Sequence, residues 1–145
     1  MRALLDDGYR SALALAGDLR AELDALEAED LDALRAAAAA KRAQLEALEA
    51  VEARRMALLA ERGLGDDTDG MQALLGDDDG LARQWRRYLK VADDCQRANL
   101  TNGAVIRLRQ QQVTSALAVL AGGETGIYGP GGTERPAASR TLAEA

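Results

Sequence analysis

The side chains that could do chemistry in this chain are few and narrow in type. Histidine is absent, which removes the commonest general base and the commonest metal ligand together. The single cysteine, Cys95, permits neither an internal disulfide nor a thiolate zinc cluster. A reducing compartment is the simplest fit, and without a second thiol a packed structural role outweighs a redox one. Carboxylates crowd residues 63–80, where Asp66, Asp67, Asp69, Asp77, Asp78 and Asp79 alternate with glycines. Calcium is the chemistry to test there. Taking Gly70 as the central glycine of an EF-hand loop puts Gly65 at the first ligand position and Gly76 at the last; taking Gly80 gives Leu75 and Arg86. Neither set can ligate, so the run reads as a solvated acidic hinge. No glycine spacing spells a phosphate-binding loop or a dinucleotide fingerprint. No nucleophile–base pair can be assembled, so the chain is expected not to be an enzyme and to use no metal or other cofactor.

What must position the remaining polar groups is helix. Alanine (31) and leucine (23) are the dominant residues of the 145, phenylalanine is missing, and the aromatics are Tyr9, Trp85, Tyr88 and Tyr128. A sheet lacks its β-branched and aromatic material here, whereas both dominant residues are strong helix formers. The fold class is therefore all-α: an antiparallel bundle or long hairpin with an extended third helix and a flexible C-terminal tail. The first helix spans about 3–28, with Leu4, Leu5, Tyr9, Leu13, Leu19, Leu23 and Leu26 as its apolar stripe and Glu22 among the polar residues between them. Gly8 and Gly17 weaken it by ~1 kcal/mol each. The second spans about 31–62, on a stripe of Leu31, Leu34, Ala38, Leu45, Leu48, Glu52 and Leu59. Residues 63–80 form the acidic, glycine-rich linker, in which Asp69 and Gln72 resemble a helix start and one or two turns over 71–75 fit. The third helix spans about 81–121, closing a helical domain 1–121. Residues 122–145 hold both prolines and form the tail, with Ile127 and Tyr128 its apolar anchor.

The third helix carries the informative pattern. Its heptad-like seam runs Trp85, Tyr88, Ala92, Cys95, Asn99, Asn102, Ile106, Arg109, Val113, Ala116, Leu120. Asn99, Asn102 and Arg109 fall where apolar residues pack best, and Gly103 interrupts the helix interior beside them. Buried amides specify register in helical assemblies; they also mark a groove into which another helix approaches closely. Both readings stay open on residue chemistry alone. Likewise Tyr128 either folds back onto the bundle or serves as an aromatic anchor for a partner's pocket. Trp85 with Tyr88 reads as packing near a bundle end.

Charge limits the partners. The net charge is −6, divided as −10 over residues 1–80 and +4 over 81–145, so nucleic acid is a poor partner. Arg86, Arg87 and Lys90 are expected to pair with the acidic first half; a helical protein binding nucleic acid through these and Arg83 ranks last. No apolar run approaches the ~18 residues of a membrane span. Asp6 and Asp7 interrupt the N-terminus, and the apolar stretch around Leu13 and Leu15 is too short for a signal peptide. A cytoplasmic protein without membrane insertion is expected; a homodimer stays open.

Asn99-x-x-Asn102-Gly103-x-x-Ile106, the glutamines 110–112, Ala116-Leu117-x-x-Leu120 and then Tyr128-Gly129-x-x-Gly132, in that order and spacing, resemble the FlgN family of flagellar export chaperones. The resemblance rests on about residues 81–132. It implies an all-helical cytoplasmic chaperone that binds the C-terminal helical segments of the hook-associated proteins FlgK and FlgL. It further implies delivery of these clients to the flagellar type III export apparatus, with Tyr128 matching the family tyrosine that docks on the export gate protein FlhA. The client-binding residues expected are Asn99, Asn102, Gly103, Ile106, Arg109, Val113, Leu117 and Leu120. The alternative is a structural coiled-coil adaptor that self-assembles and carries no export client.

Overall fold

The computed structural model describes residues 1–124. Within them the elements are α1 (Arg2–Ala28), α2 (Leu31–Glu61), α3 (Thr68–Leu75) and α4 (Asp79–Glu124). The chain divides into two units, Met1–Arg109 and a second that begins at Gln110.

Each break in the first unit has a local cause. At the α1–α2 turn, Glu29 adopts the left-handed conformation (φ 57°), and the amides of Glu29 and Asp30 return to Leu26 and Ala25 carbonyls, a Schellman ending. Asp30 then caps α2, one carboxylate oxygen accepting from the amides of Asp32 and Ala33 at 3.0 Å each. Helix α2 stops in the same manner at Gly63 (φ 66°), with the Leu64 amide on the Leu59 carbonyl. Helix α3 is longer than the sequence predicts. Its cap is Asp67, not Asp69: the Asp67 carboxylate accepts from the Gly70 amide at 2.7 Å. Gly70 is required there, since a Cβ would lie 2.0 Å from the Gly65 carbonyl oxygen. Asp78 starts α4, accepting from the amides of Gly80 (2.8 Å) and Leu81 (3.0 Å). Those amides, the Leu81 one foremost, hold the Asp78 carboxyl below its ordinary range. Two of the linker's aspartates, Asp67 and Asp78, are thus helix caps.

In the first unit α1 and α4 run parallel, and α2 runs antiparallel to both. The cross-links climb together: Arg2 with Asp78, Gln84 with Asp6, the Cys95 thiol on the Ala12 carbonyl, Asn102 on the Leu19 carbonyl, Arg109 with Glu29. One apolar cluster joins Leu5, Leu59, Met71, Leu74 and Leu75, with Trp85 packed against it. A second joins Leu15, Leu19 and Cys95, flanked by Leu48, Val91 and Ala98. Burying each such leucine stabilises the fold by roughly 1.5–3 kcal/mol. Gly8 sits between them, and a Cβ there would approach the Tyr88 ring and Val51 to 3.2 Å. The cost of glycine in α1 is therefore offset by close helix approach.

Three details of the expected stripes are corrected. Glu22 is buried, not on the polar face. In α2, Leu31 and Leu45 are exposed while Val51 and Arg55 turn inward. Arg55 is held by Glu52 (2.6 Å) and Asp66 (2.5 Å), which satisfies its charge on burial. In α4 the seam passes from Cys95 through half-buried Ala98 to Asn102, leaving Asn99 exposed.

Candidate functional site

Asn99, Asn102, Gly103, Ile106 and Arg109 belong to the first unit, and Val113, Leu117 and Leu120 to the second. Asn102 is 2 % exposed. Its side-chain amide donates to the Leu19 carbonyl and to a Glu22 carboxylate oxygen, both at 2.8 Å. The other Glu22 oxygen receives the Lys41 ammonium at 2.5 Å. Glu22, Lys41 and Asn102 thereby tie α1, α2 and α4 at one level. Each of these polar groups is partnered, as burial demands. Register control, one of the two readings open for the buried amides, fits Asn102.

The other expected residues of the first unit differ in placement. Arg109 reaches Glu29 at 2.6 Å across α4 and the end of α1, but both side chains are substantially solvated, so the pair contributes little. Ile106 and Gly103 are half-buried. A Cβ on Gly103 would touch nothing closer than the Arg107 guanidinium at 3.4 Å, so nothing within the first unit requires a glycine there. Asn99 stands at the mouth of a cavity of about 200 Å³ lined by Leu15, Leu19, Leu45, Leu48 and Cys95. Burial pushes the Cys95 thiol up from its usual pKa, which leaves it protonated and poorly nucleophilic at neutral pH.

In the second unit every side chain over residues 110–121 is exposed. Val113, Leu117 and Leu120 are 60 %, 61 % and 68 % exposed. Their spacing of four and three residues puts them on one helix face. Ile127 and Tyr128 lie outside the described residues.

Glu22, Lys41 and Arg55 are the polar residues that sequence reasoning missed. The signal for Glu22 was present: Leu15, Leu19, Glu22 and Leu26 follow a four-three-four spacing, which places the carboxylate in the seam. The expected pairing of Arg86, Arg87 and Lys90 with the acidic half does not form: none of the three has a carboxylate within 4.0 Å among the described residues. The acidic half uses Asp66 on Arg55, Asp67 on α3, and Asp78 on α4 and Arg2.

Among the described residues no cluster of three or more His, Cys, Asp or Glu side chains is placed to hold a metal ion. No described helix is long and apolar enough to cross a membrane. No curated protein and no solved structure matches the chain. The family model described as FlgN protein matches residues 3–136, nearly the whole sequence, and the chain belongs to that family of flagellar export chaperones.

Proposed function

We propose that this chain is a cytoplasmic chaperone that holds the C-terminal helical segments of the hook-associated proteins FlgK and FlgL and presents them to the export gate protein FlhA. The observation that carries this reading is the exposed apolar face of Val113, Leu117 and Leu120. An amphipathic client helix buries its own apolar stripe on such a face. Covering the exposed share of these three side chains yields roughly 3–5 kcal/mol. Association itself costs at least about 4 kcal/mol, so a stable complex must bury further residues. Gly103 and Ile106 are proposed as further contacts, Gly103 because the missing side chain lets a client backbone come close. Exposed Asn99 is proposed as a polar contact. Asn102 is assigned instead to holding α4 on α1 and reaches a client only if those helices part, whereas Arg109, in a solvated pair with Glu29, stays open to a client carboxylate. Tyr128 is proposed as the gate-docking residue, which separates client holding from delivery.

The test is a pull-down of FlgK and FlgL with and without their C-termini. Recovery of the full-length clients alone supports the proposal; equal recovery of the truncated forms refutes it. Val113→Ser with Leu117→Ser should abolish capture at unchanged helicity. Tyr128→Ala should retain capture and impair binding to FlhA. Sedimentation addresses the rival: a self-assembling adaptor gives a stable oligomer that the Val113→Ser/Leu117→Ser variant dissolves.

A further inference from the structure

Four cations on the first turns of α4 make no direct ion pair among the described residues, though Arg83 acts on Asp78 through space. Arg83, Arg86, Arg87 and Lys90 are exposed, and none has a carboxylate within 4.0 Å among the described residues. At helical spacing they fall within an arc of about 100° and span two turns, about 10 Å. Neighbouring cations are already neutralised: Arg2 by Asp78, Arg97 by Asp93 and Asp94.

The stripe has a hollow on each side. On one, Arg83, Arg87, Tyr9 and Gln84 wall a depression of about 340 Å³, whose Asp6 accepts from Gln84. On the other, a cleft of about 700 Å³ is lined by Leu75, Ala82, Trp85 and Leu89, with Arg86 also on it and the Asp77–Asp79 run closing one end. Leu89 is 45 % exposed, and the Trp85 indole packs 5.5 Å from the Tyr88 ring. A tryptophan beside arginines, on the apolar side of a concave cleft, has the composition of a binding hot spot.

We propose that this stripe docks an acidic amphipathic helix of a partner protein, its carboxylates on Arg83, Arg87 and Lys90 and its apolar side chains in the Trp85–Leu89 cleft. The surroundings favour a helix over a polyanion. The chain carries −6 overall, and charges act over only ~8 Å at physiological salt. A nucleic acid or an anionic bilayer spreads its charge well past a 10-Å stripe and meets the carboxylates around it. A single helix laid along Arg86 to Lys90 keeps its carboxylates away from the Asp77–Asp79 end of the cleft, and it alone uses the apolar wall. The site shares no residue with the client face and stands if the client proposal falls.

The experiment uses the full chain and a synthetic helical peptide with glutamates at i, i+4 and i+7 and leucines on the adjoining face. Binding is followed by fluorescence anisotropy. The peptide should bind, and binding should weaken as salt rises. The version with every glutamate replaced by glutamine should bind about tenfold more weakly or worse, and Arg83→Glu with Arg87→Glu should do the same. Leu89→Ser should weaken binding without changing the salt slope. Arg83→Gln with Lys90→Gln repeats the test without charge reversal, and circular dichroism confirms folding of each variant. Three results overturn the proposal: no binding of the acidic peptide at low salt, equal affinity for the Arg83→Glu/Arg87→Glu chain, or tighter binding of single-stranded RNA or phosphatidylserine vesicles than of the peptide.

Discussion

Replacing Asn102 with alanine removes one side chain and leaves two acceptors short. The Leu19 carbonyl loses a donor at 2.8 Å, and the Glu22 carboxylate loses another at 2.8 Å. A neutral hydrogen bond contributes about 1 kcal/mol net, one to a charged group about 1.5–3. Glu22 is 2 % exposed and keeps only Lys41, so water cannot readily replace the lost donor. The expected cost is about 2–4 kcal/mol, which lowers the melting temperature by roughly 8–16 °C for a unit of this size. Urea unfolding followed by far-ultraviolet circular dichroism and by Trp85 fluorescence measures it, and coincidence of the two probes tests for a single transition. Repeating the substitution on Glu22→Gln isolates the pair: the cost should shrink by ~1 kcal/mol or more. A cost below ~1 kcal/mol with no coupling to Glu22 would refute the assignment of this amide as the fastener between α1 and α4.

The glycines of the helices should respond in opposite directions. Gly17 has open space around it, so Gly17→Ala should stabilise by about 0.5–1 kcal/mol, whereas Gly70→Ala should destabilise despite better helix propensity because of the Gly65 carbonyl; urea unfolding reports both. Cys95 is buried and its thiol is shifted upward, so it should react with iodoacetamide far more slowly in the native chain than in urea, and labelling at the unfolded rate would contradict the packing. Asp78 is shifted downward by the amides it caps. Its contribution is therefore complete above its unfolded pKa of ~4 and disappears as pH falls through the lower folded value. The stability curves of the wild type and Asp78→Ala should separate at neutral pH and converge in acid.

The helices were legible because alanine and leucine dominate and glycine marks the breaks. The phase of each helix was less so. In α1 most leucines announced the buried face, but Leu13 of the expected stripe is exposed, and Glu22 was assigned to solvent by residue type although its spacing put it in the seam. In α2 the run Ala36–Ala40 has no polar contrast, so the stripe drifted, and Arg55 came inward because Glu52, one turn back, and Asp66, beyond the helix end, both meet it. The parallel course of α1 and α4 was not readable from periodicity, since it follows from the length of α2 and the turn through α3. For the site, four-three spacing marked Val113, Leu117 and Leu120, and their exposure adds what spacing alone could not. Asn99 and Asn102 were indistinguishable in sequence: a seam through residue 98 rather than 99 separates them.

The contacts between α1 and α4 join residues 76 to 83 positions apart, whereas α1 and α2 meet across a two-residue bend. Closing so long a loop costs ~4 kcal/mol of chain entropy, while the α1–α2 hairpin zips from its bend at little cost. The hairpin should therefore assemble first during folding and α4 last. By the same bookkeeping the last arrival is the first to leave: amide exchange should find the least protected docking in the molecule along α4, loosened in brief, partial excursions well short of global unfolding.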